Sequence, residues 1–152
     1  MIRSIDHINL VVSDLNRSVK FYTELLGFKK ANSAHMEGEW IESIVGIEGV
    51  VADVAFIVAP AGEPRIELLC YKTPQGQAIP ANSRANTLGL RHIALRVDDI
   101  YAASEKLKDA AVKLLSDPVV VPASVVTHDA GRKMLCYFHD PDGVLLEITE
   151  YK

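Results

Sequence analysis

Apolar and polar residues alternate through Ile5-Asp6-His7-Ile8-Asn9-Leu10 near the start of the chain, and again through Arg91-His92-Ile93-Ala94-Leu95-Arg96-Val97. A period of two predicts a strand, with Ile93, Leu95 and Val97 on one face and His92, Ala94 and Arg96 on the other. Each strand is followed by a change to helical spacing. Ser13 or Asp14 is placed to cap a helix whose stripe is Leu15, Val19, Tyr22 and Leu26, with Gly27 closing it. In the second half Asp98 or Asp99 caps, and Ile100, Ala103, Leu107 and Ala110 form the stripe.

The two halves say nearly the same thing. His7 and His92 are 85 positions apart, and so are Leu10 and Leu95, Val12 and Val97, and Leu15 and Ile100. β patterns follow each helix. Residues 50–59 and 64–71 read as a hairpin turned at Pro60-Ala61-Gly62-Glu63, and residues 132–139 and 144–151 as another turned at Asp140-Pro141-Asp142-Gly143. Residues 112–115 are expected to add a strand to the second half. Glu67 and Glu147 stand in matching last strands, 80 positions apart, the offset shortened by tighter loops. Each half therefore reads strand, helix, three strands. The expectation is one domain over residues 1–152, made of a first module at 1–71, a linker at 72–89 rich in Pro, Asn and Gly, and a second module at 90–152.

Composition removes whole classes of function. A hydrophobic share of 49% with 24% charged residues is that of an ordinary water-soluble domain, and no apolar run is long enough for a membrane span. A strand pattern beginning at once leaves no room for a secretory leader. The net charge of -4 argues against nucleic acid and anionic membrane as partners. Cys70 and Cys136 form neither a disulfide framework nor a zinc-type pair, so they read as small buried hydrophobes in a cytoplasmic protein.

The repeat singles out four residues. His7 and His92 lie on the first strands, and Glu67 and Glu147 sit on the last strands between apolar neighbours that point the other way. A lone strand histidine is ordinarily a hydrogen-bonded polar residue, and a lone strand glutamate is ordinarily solvated. Two such pairs at equivalent positions are better explained by a divalent cation, since two carboxylates repel one another without one and balance its charge with one. Imidazole with carboxylate suits Ni, Co, Mn, Fe or Zn better than Ca, with positions left open for water or substrate.

Carried by Ile5-Asp6-His7-Ile8 through Phe21-Tyr22-Thr23-Glu24-Leu25-Leu26-Gly27-Phe28, Arg65-Ile66-Glu67-Leu68-Leu69, the His92 strand and His139-Asp140-Pro141-Asp142-Gly143-Val144-Leu145-Leu146-Glu147, the chain resembles the vicinal oxygen chelate superfamily. That resemblance spans essentially the whole chain. It implies an α+β fold of two βαβββ modules forming a cupped mixed sheet with helices outside, one divalent metal held by His7, Glu67, His92 and Glu147, and a homodimer. It also implies a small-molecule substrate. A four-ligand set resembles glyoxalase I and methylmalonyl-CoA epimerase, which points to a lyase or isomerase that stabilises an enolate or enediolate of a carbonyl or thioester, with Glu147 or Glu67 as the base. Extradiol dioxygenases, with His7, His92 and Glu147 as an iron triad, and metal-free drug-binding members are the competing expectations.

Several further residues carry secondary expectations. Arg96 shares the face of His92 and meets either an anionic substrate group or a rim carboxylate. Asn9 shares the face of His7 and bonds either substrate or a neighbouring strand. Residues 33–49, with His35, Glu37, Trp40, Glu42 and Glu48, are expected to form a lid or substrate wall in which Trp40 is packed and Glu42 and Glu48 belong to a solvated face or supply a second acid/base. Arg132 and Lys133 are candidates for gripping a phosphate or carboxylate, while His128 and His139 read as surface residues.

Overall fold

The computed structural model describes residues 1–126 and 131–152, which divide into two compact units, Met1–Ala78 and Ile79–Lys152. Among the described residues no helix is long and apolar enough to cross a membrane.

The first unit runs β1 (His7–Val11), α1 (Leu15–Lys20), β2 (Lys29–Glu37), α2 (Glu39–Val45), β3 (Val51–Ala59) and β4 (Gly62–Thr73). Its sheet has the order β1-β4-β3-β2, with β1 parallel to β4 and the other pairs antiparallel. Asp14 caps α1 by accepting the Arg17 N–H at 3.0 Å. The helix then widens into a π turn over Phe21–Leu25, which carries Tyr22 into the core with no exposed surface. Gly27, at φ +80°, lets the chain reverse into β2. Ser18 is buried beside this stripe, a position that apolar spacing does not mark.

Alternation sorts the strands into two faces. Leu10, Ile57, Ile66, Leu68 and Cys70 are buried on one, where the Cys70 thiol donates to the Ser13 carbonyl at the head of α1. On the other, Ala52, Val54, Phe56, Leu69 and Tyr71 pack with Ile41 and Val45 of α2. Phe56 is the cross-strand partner of Glu67, so α2 lies on the glutamate face. Residues 33–49 divide between the end of β2 and this short amphipathic helix, whose inward residues Ile41 and Val45 are four apart.

The second unit repeats the plan with β5 (His92–Arg96), α3 (Ile100–Asp109), β6 (Val119–Val120), β7 (Lys133–His139) and β8 (Leu145–Tyr151) in the order β5-β8-β7-β6. Asp99 caps α3 by accepting the N–H groups of Tyr101 and Ala102. Glu150 is buried, accepts the Ile100 N–H at 2.7 Å and pairs with Lys152, and these bonds lower its pKa. The Asp140 carboxylate accepts the N–H groups of Asp142 and Val144, and Gly143 at φ +88° completes the β7–β8 turn. Residues 112–115 do not form the expected strand: Leu114 makes a single bridge to Phe138, and pairing with β7 resumes at Val119. Ser116-Asp117-Pro118 interrupts the edge, Pro118 having no N–H to give a ladder. The architecture is thus the α+β, twice-repeated βαβββ plan.

Both caps sit at the same place in the repeat. Asp14→Ala and Asp99→Ala are each expected to lower unfolding free energy by about 1 kcal/mol, seen as a lower urea midpoint at unchanged slope.

Candidate functional site

Parallel pairing brings each histidine to its glutamate. In the first unit His7 stands opposite Arg65 and Asn9 opposite Glu67, so His7 and Glu67 are diagonal neighbours on one face. Nε2 of His7 lies 3.5 Å from Oε2 of Glu67. In the second unit His92 stands opposite Leu145 and Ala94 opposite Glu147, and Nε2 of His92 again lies 3.5 Å from Oε2 of Glu147. That separation is long for a hydrogen bond. It suits two donors held at roughly 2.0–2.2 Å by one ion, which stand about 3.0–3.5 Å apart. In donor chemistry and in spacing, each pair fits half of a divalent-metal centre. Among the described residues no group of three or more His, Cys, Asp or Glu side chains is gathered closely enough to hold an ion.

The surroundings of the two pairs differ. Nδ1 of His7 meets the Asp6 carboxylate at 2.8 Å, which orients the ring and turns Nε2 toward Glu67. The His7 interaction holds the Asp6 carboxyl below its ordinary value, with Arg65 adding to the effect. The Arg65 guanidinium lies 4.9 Å from the Phe56 ring centre, and Phe56 meets the His7 ring edge-on at 5.7 Å. Asn9 donates to Glu67 Oε2 at 2.7 Å. At the position of Asp6 the second unit has Arg91, which turns to Ser83 and the Arg84 carbonyl.

Around His92 the ring partner is Tyr137, at 5.2 Å, occupying the cross-strand place that Phe56 occupies in the first unit. Glu147 keeps only 4% of its side chain exposed, against 17% for Glu67. A carboxylate this enclosed needs compensation. Nζ of Lys133 is 3.9 Å from its Oε1. Burial first, and the Glu147 carboxylate second, push the Tyr137 phenol above its usual pKa. A hydrogen bond with Tyr151 raises Lys133, and Glu147 adds to the rise.

Of the residues singled out by sequence, the four ligand candidates thus fall into two close pairs, and Asn9 holds one of the carboxylates. Asp6, Phe56 and Tyr137 were not foreseen; the adjacency of Asp6 to His7 and the β3–β4 and β7–β8 registers are the signals that mark them. Trp40, expected to be packed, is 55% exposed, because Ile41 and Val45 take the inward side of α2. Glu42 accepts the Gly49 N–H at 3.0 Å at the surface. The backbone of Arg132 pairs with that of Lys152, His139 is exposed at the end of β7, and His128 lies outside the described residues.

The family model described as the Glyoxalase/Bleomycin resistance protein/Dioxygenase superfamily matches residues 4–148. The chain belongs to this superfamily. Within the glyoxalase/bleomycin resistance/dioxygenase group it is 28% identical over 149 residues to 2-epi-5-epi-valiolone epimerase of an Actinomyces species, covering 95% of this chain and 78% of the relative. It is 30% identical over 148 residues to lactoylglutathione lyase of Haemophilus influenzae, covering 96% and 91%. A crystal structure of a glyoxalase-family protein from Bacillus cereus superposes with a TM-score of 0.83 at 26% identity, covering 99% and 95%. Relatives named as lyase and as epimerase therefore both span nearly all of this chain.

One titratable cluster lies apart from the pairs. His35 on β2 meets Asp53 of β3 at 2.7 Å and Glu37 at 3.5 Å, while Lys72 stands 3.7 Å from Asp53. The Asp53 hydrogen bond, followed by that of Glu37, raises the His35 pKa above 6.5. A raised folded value contributes stability fully below the unfolded pKa and loses it as pH rises through the folded one. The pH-dependent part of the stability difference between wild type and His35→Gln should therefore be largest near pH 6 and fall away as the pH rises through the raised folded value, as read in urea titrations.

Proposed function

We propose that the chain is a metal-dependent lyase or isomerase acting on a small carbonyl or thioester compound. The observation that carries this reading is the imidazole–carboxylate pair at 3.5 Å, formed twice by the same strand register. In this reading His7, Glu67, His92 and Glu147 are the ligands of one divalent ion (Ni, Co, Mn, Fe or Zn), in a centre completed within one chain or across a cytoplasmic homodimer. The epimerase and lyase names among its relatives support proton-transfer chemistry at carbon. The free, buried cysteines are in keeping with a reducing compartment.

Bound there, a divalent ion supplies Lewis acidity toward a substrate carbonyl oxygen. The chain supplies the rest. Asp6 fixes the His7 ring so that Nε2 is presented to the centre, and Asn9 fixes one oxygen of Glu67. Glu147 or Glu67 takes the proton from the carbon next to the carbonyl and returns it, to the same carbon or its neighbour. With Tyr137, Lys133 and His92 around it, the Glu147 carboxylate is the better shielded of the two from bulk water. Arg96 and Asn9 are the residues proposed to meet substrate.

Protein purified without chelators should carry metal by elemental analysis. His92→Ala and Glu67→Ala should each weaken binding of added Mn(II) or Ni(II) by at least about 100-fold, above the loss typical of outer residues. In deuterium oxide the wild type should exchange the α-hydrogen of an α-oxoaldehyde–thiol adduct or of a 2-substituted thioester. Wild type that takes up none of the five metals, or Glu67→Ala protein with unchanged metal content, would end the four-ligand reading.

A further inference from the structure

The His7 ring belongs to a closed circuit of side chains. Its Nδ1 meets Asp6 Oδ2 at 2.8 Å, and Nη2 of Arg65, directly across the β1–β4 ladder, donates to that same oxygen. The Arg65 guanidinium covers the Phe56 ring at 4.9 Å, and Phe56 returns to His7 edge-on, the two planes 88° apart. A single exposed ion pair would hold little. Here the guanidinium is fixed from a second direction by Glu63, whose carboxylate lies 3.7 Å from Nε and accepts the Arg65 backbone N–H at 3.0 Å. Nε itself is enclosed and, among the described residues, has no hydrogen-bond partner. The side chain thus keeps Nη2 on Asp6 at the expense of a bond of its own. The second unit is built without this circuit. Arg91 precedes His92, Leu145 stands across from it, and Ala94 takes the place of Asn9. Among the described residues, the partners of the His92 ring are Tyr137 and Glu147.

We propose that Arg65 is a positioning residue for His7: acting through Asp6 and Phe56, it holds the ring proton on Nδ1 and leaves Nε2 bare toward Glu67. A neutral imidazole carries one N–H, and the nitrogen with the closer acceptor keeps it. At His7 the closer acceptor is Asp6, at 2.8 Å against 3.5 Å for Glu67. At His92 the carboxylate in reach is Glu147, on the Nε2 side, so there the proton belongs on Nε2 until an ion displaces it. The two halves of the centre are therefore unequal. The first is preset, since Asn9 pins Glu67 as Arg65 and Asp6 pin His7. The second takes its form from the ion. A metal binds the bare ring nitrogen, and the hydrogen bond made by the other nitrogen decides which one is bare. The consequence for the ion rests on the functional reading above, whereas the state of the metal-free ring does not.

Long-range proton–nitrogen correlation spectra of the full-length, chelator-treated protein locate each ring proton from the limiting nitrogen shifts at alkaline pH. Spectra of His7→Gln and His92→Gln assign the two rings. Wild type should show His7 in the Nδ1–H form and His92 in the Nε2–H form. Added Zn(II) should convert His92 to Nδ1–H while His7 keeps its form. Arg65→Met should shift His7 toward Nε2–H and weaken binding of Mn(II) by roughly tenfold, the low end for outer partners, because Arg65 acts through another residue. A side chain that only packs would leave the ring proton where it is. Should Arg65→Met fail to melt cooperatively, Arg65→Gln, polar but uncharged, is read in its place. The proposal is overturned by wild-type His7 in the Nε2–H form, by His92 already in the Nδ1–H form before metal is added, or by an Arg65 variant whose His7 proton has not moved. A shifted ring with undiminished Mn(II) affinity also overturns it. Wild-type spectra unaffected by any of the five metals end the metal reading alone, because the ring assignment is made without metal.

Discussion

Everything at the candidate centre depends on one pairing, the parallel ladder between the first and last strands of each unit. Because β1 enters beside β4 in the same direction, the ladder fixes a diagonal from His7 to Glu67, and β5 with β8 does the same from His92 to Glu147. A slip of one residue would turn either side chain to the opposite face and separate the pair. Register in a parallel sheet is held by burial on the far face. Ile66 and Leu68 in one unit, Leu146 and Ile148 in the other, flank each glutamate and are nearly or wholly inaccessible. Hydrophobic packing on one side thus sets polar geometry on the other.

Much of this was legible in the sequence because it is written in period-two alternation and then written again. The repeat made the fold class and the His–Glu sets readable without any coordinates. What the sequence did not show depends on partners distant along the chain. The contact of Tyr137 with His92 arises across β7 and β8, and nothing local in Cys136-Tyr137-Phe138 distinguishes a ring in the site from one in the core. Residues 112–115 are apolar enough for a strand, yet the turn and proline that follow leave only one bridge. Helix α2 was hidden for another reason: seven residues with two inward positions are too few for helical spacing to stand out.

The two units also show how far equal backbones diverge in filling. Asp6 anchors the His7 ring, while Arg91 at the matching position looks elsewhere. Phe56 becomes Tyr137, Ala52 becomes Lys133, and a position packed beneath a helix becomes a cationic one. The duplicated strands carry the shared geometry, and the residues between the ligands carry the differences.

The placement of the two thiols has a consequence of its own. Cys70 is buried and donates to the Ser13 carbonyl, and burial pushes the Cys136 thiol up to about 11. Where electrophilic carbonyl compounds attack thiolates, a thiol held so high offers almost none at neutral pH. Both sulfurs lie on the core side of their strands, away from the His–Glu face, so neither thiol competes for the class of molecule the protein is proposed to handle.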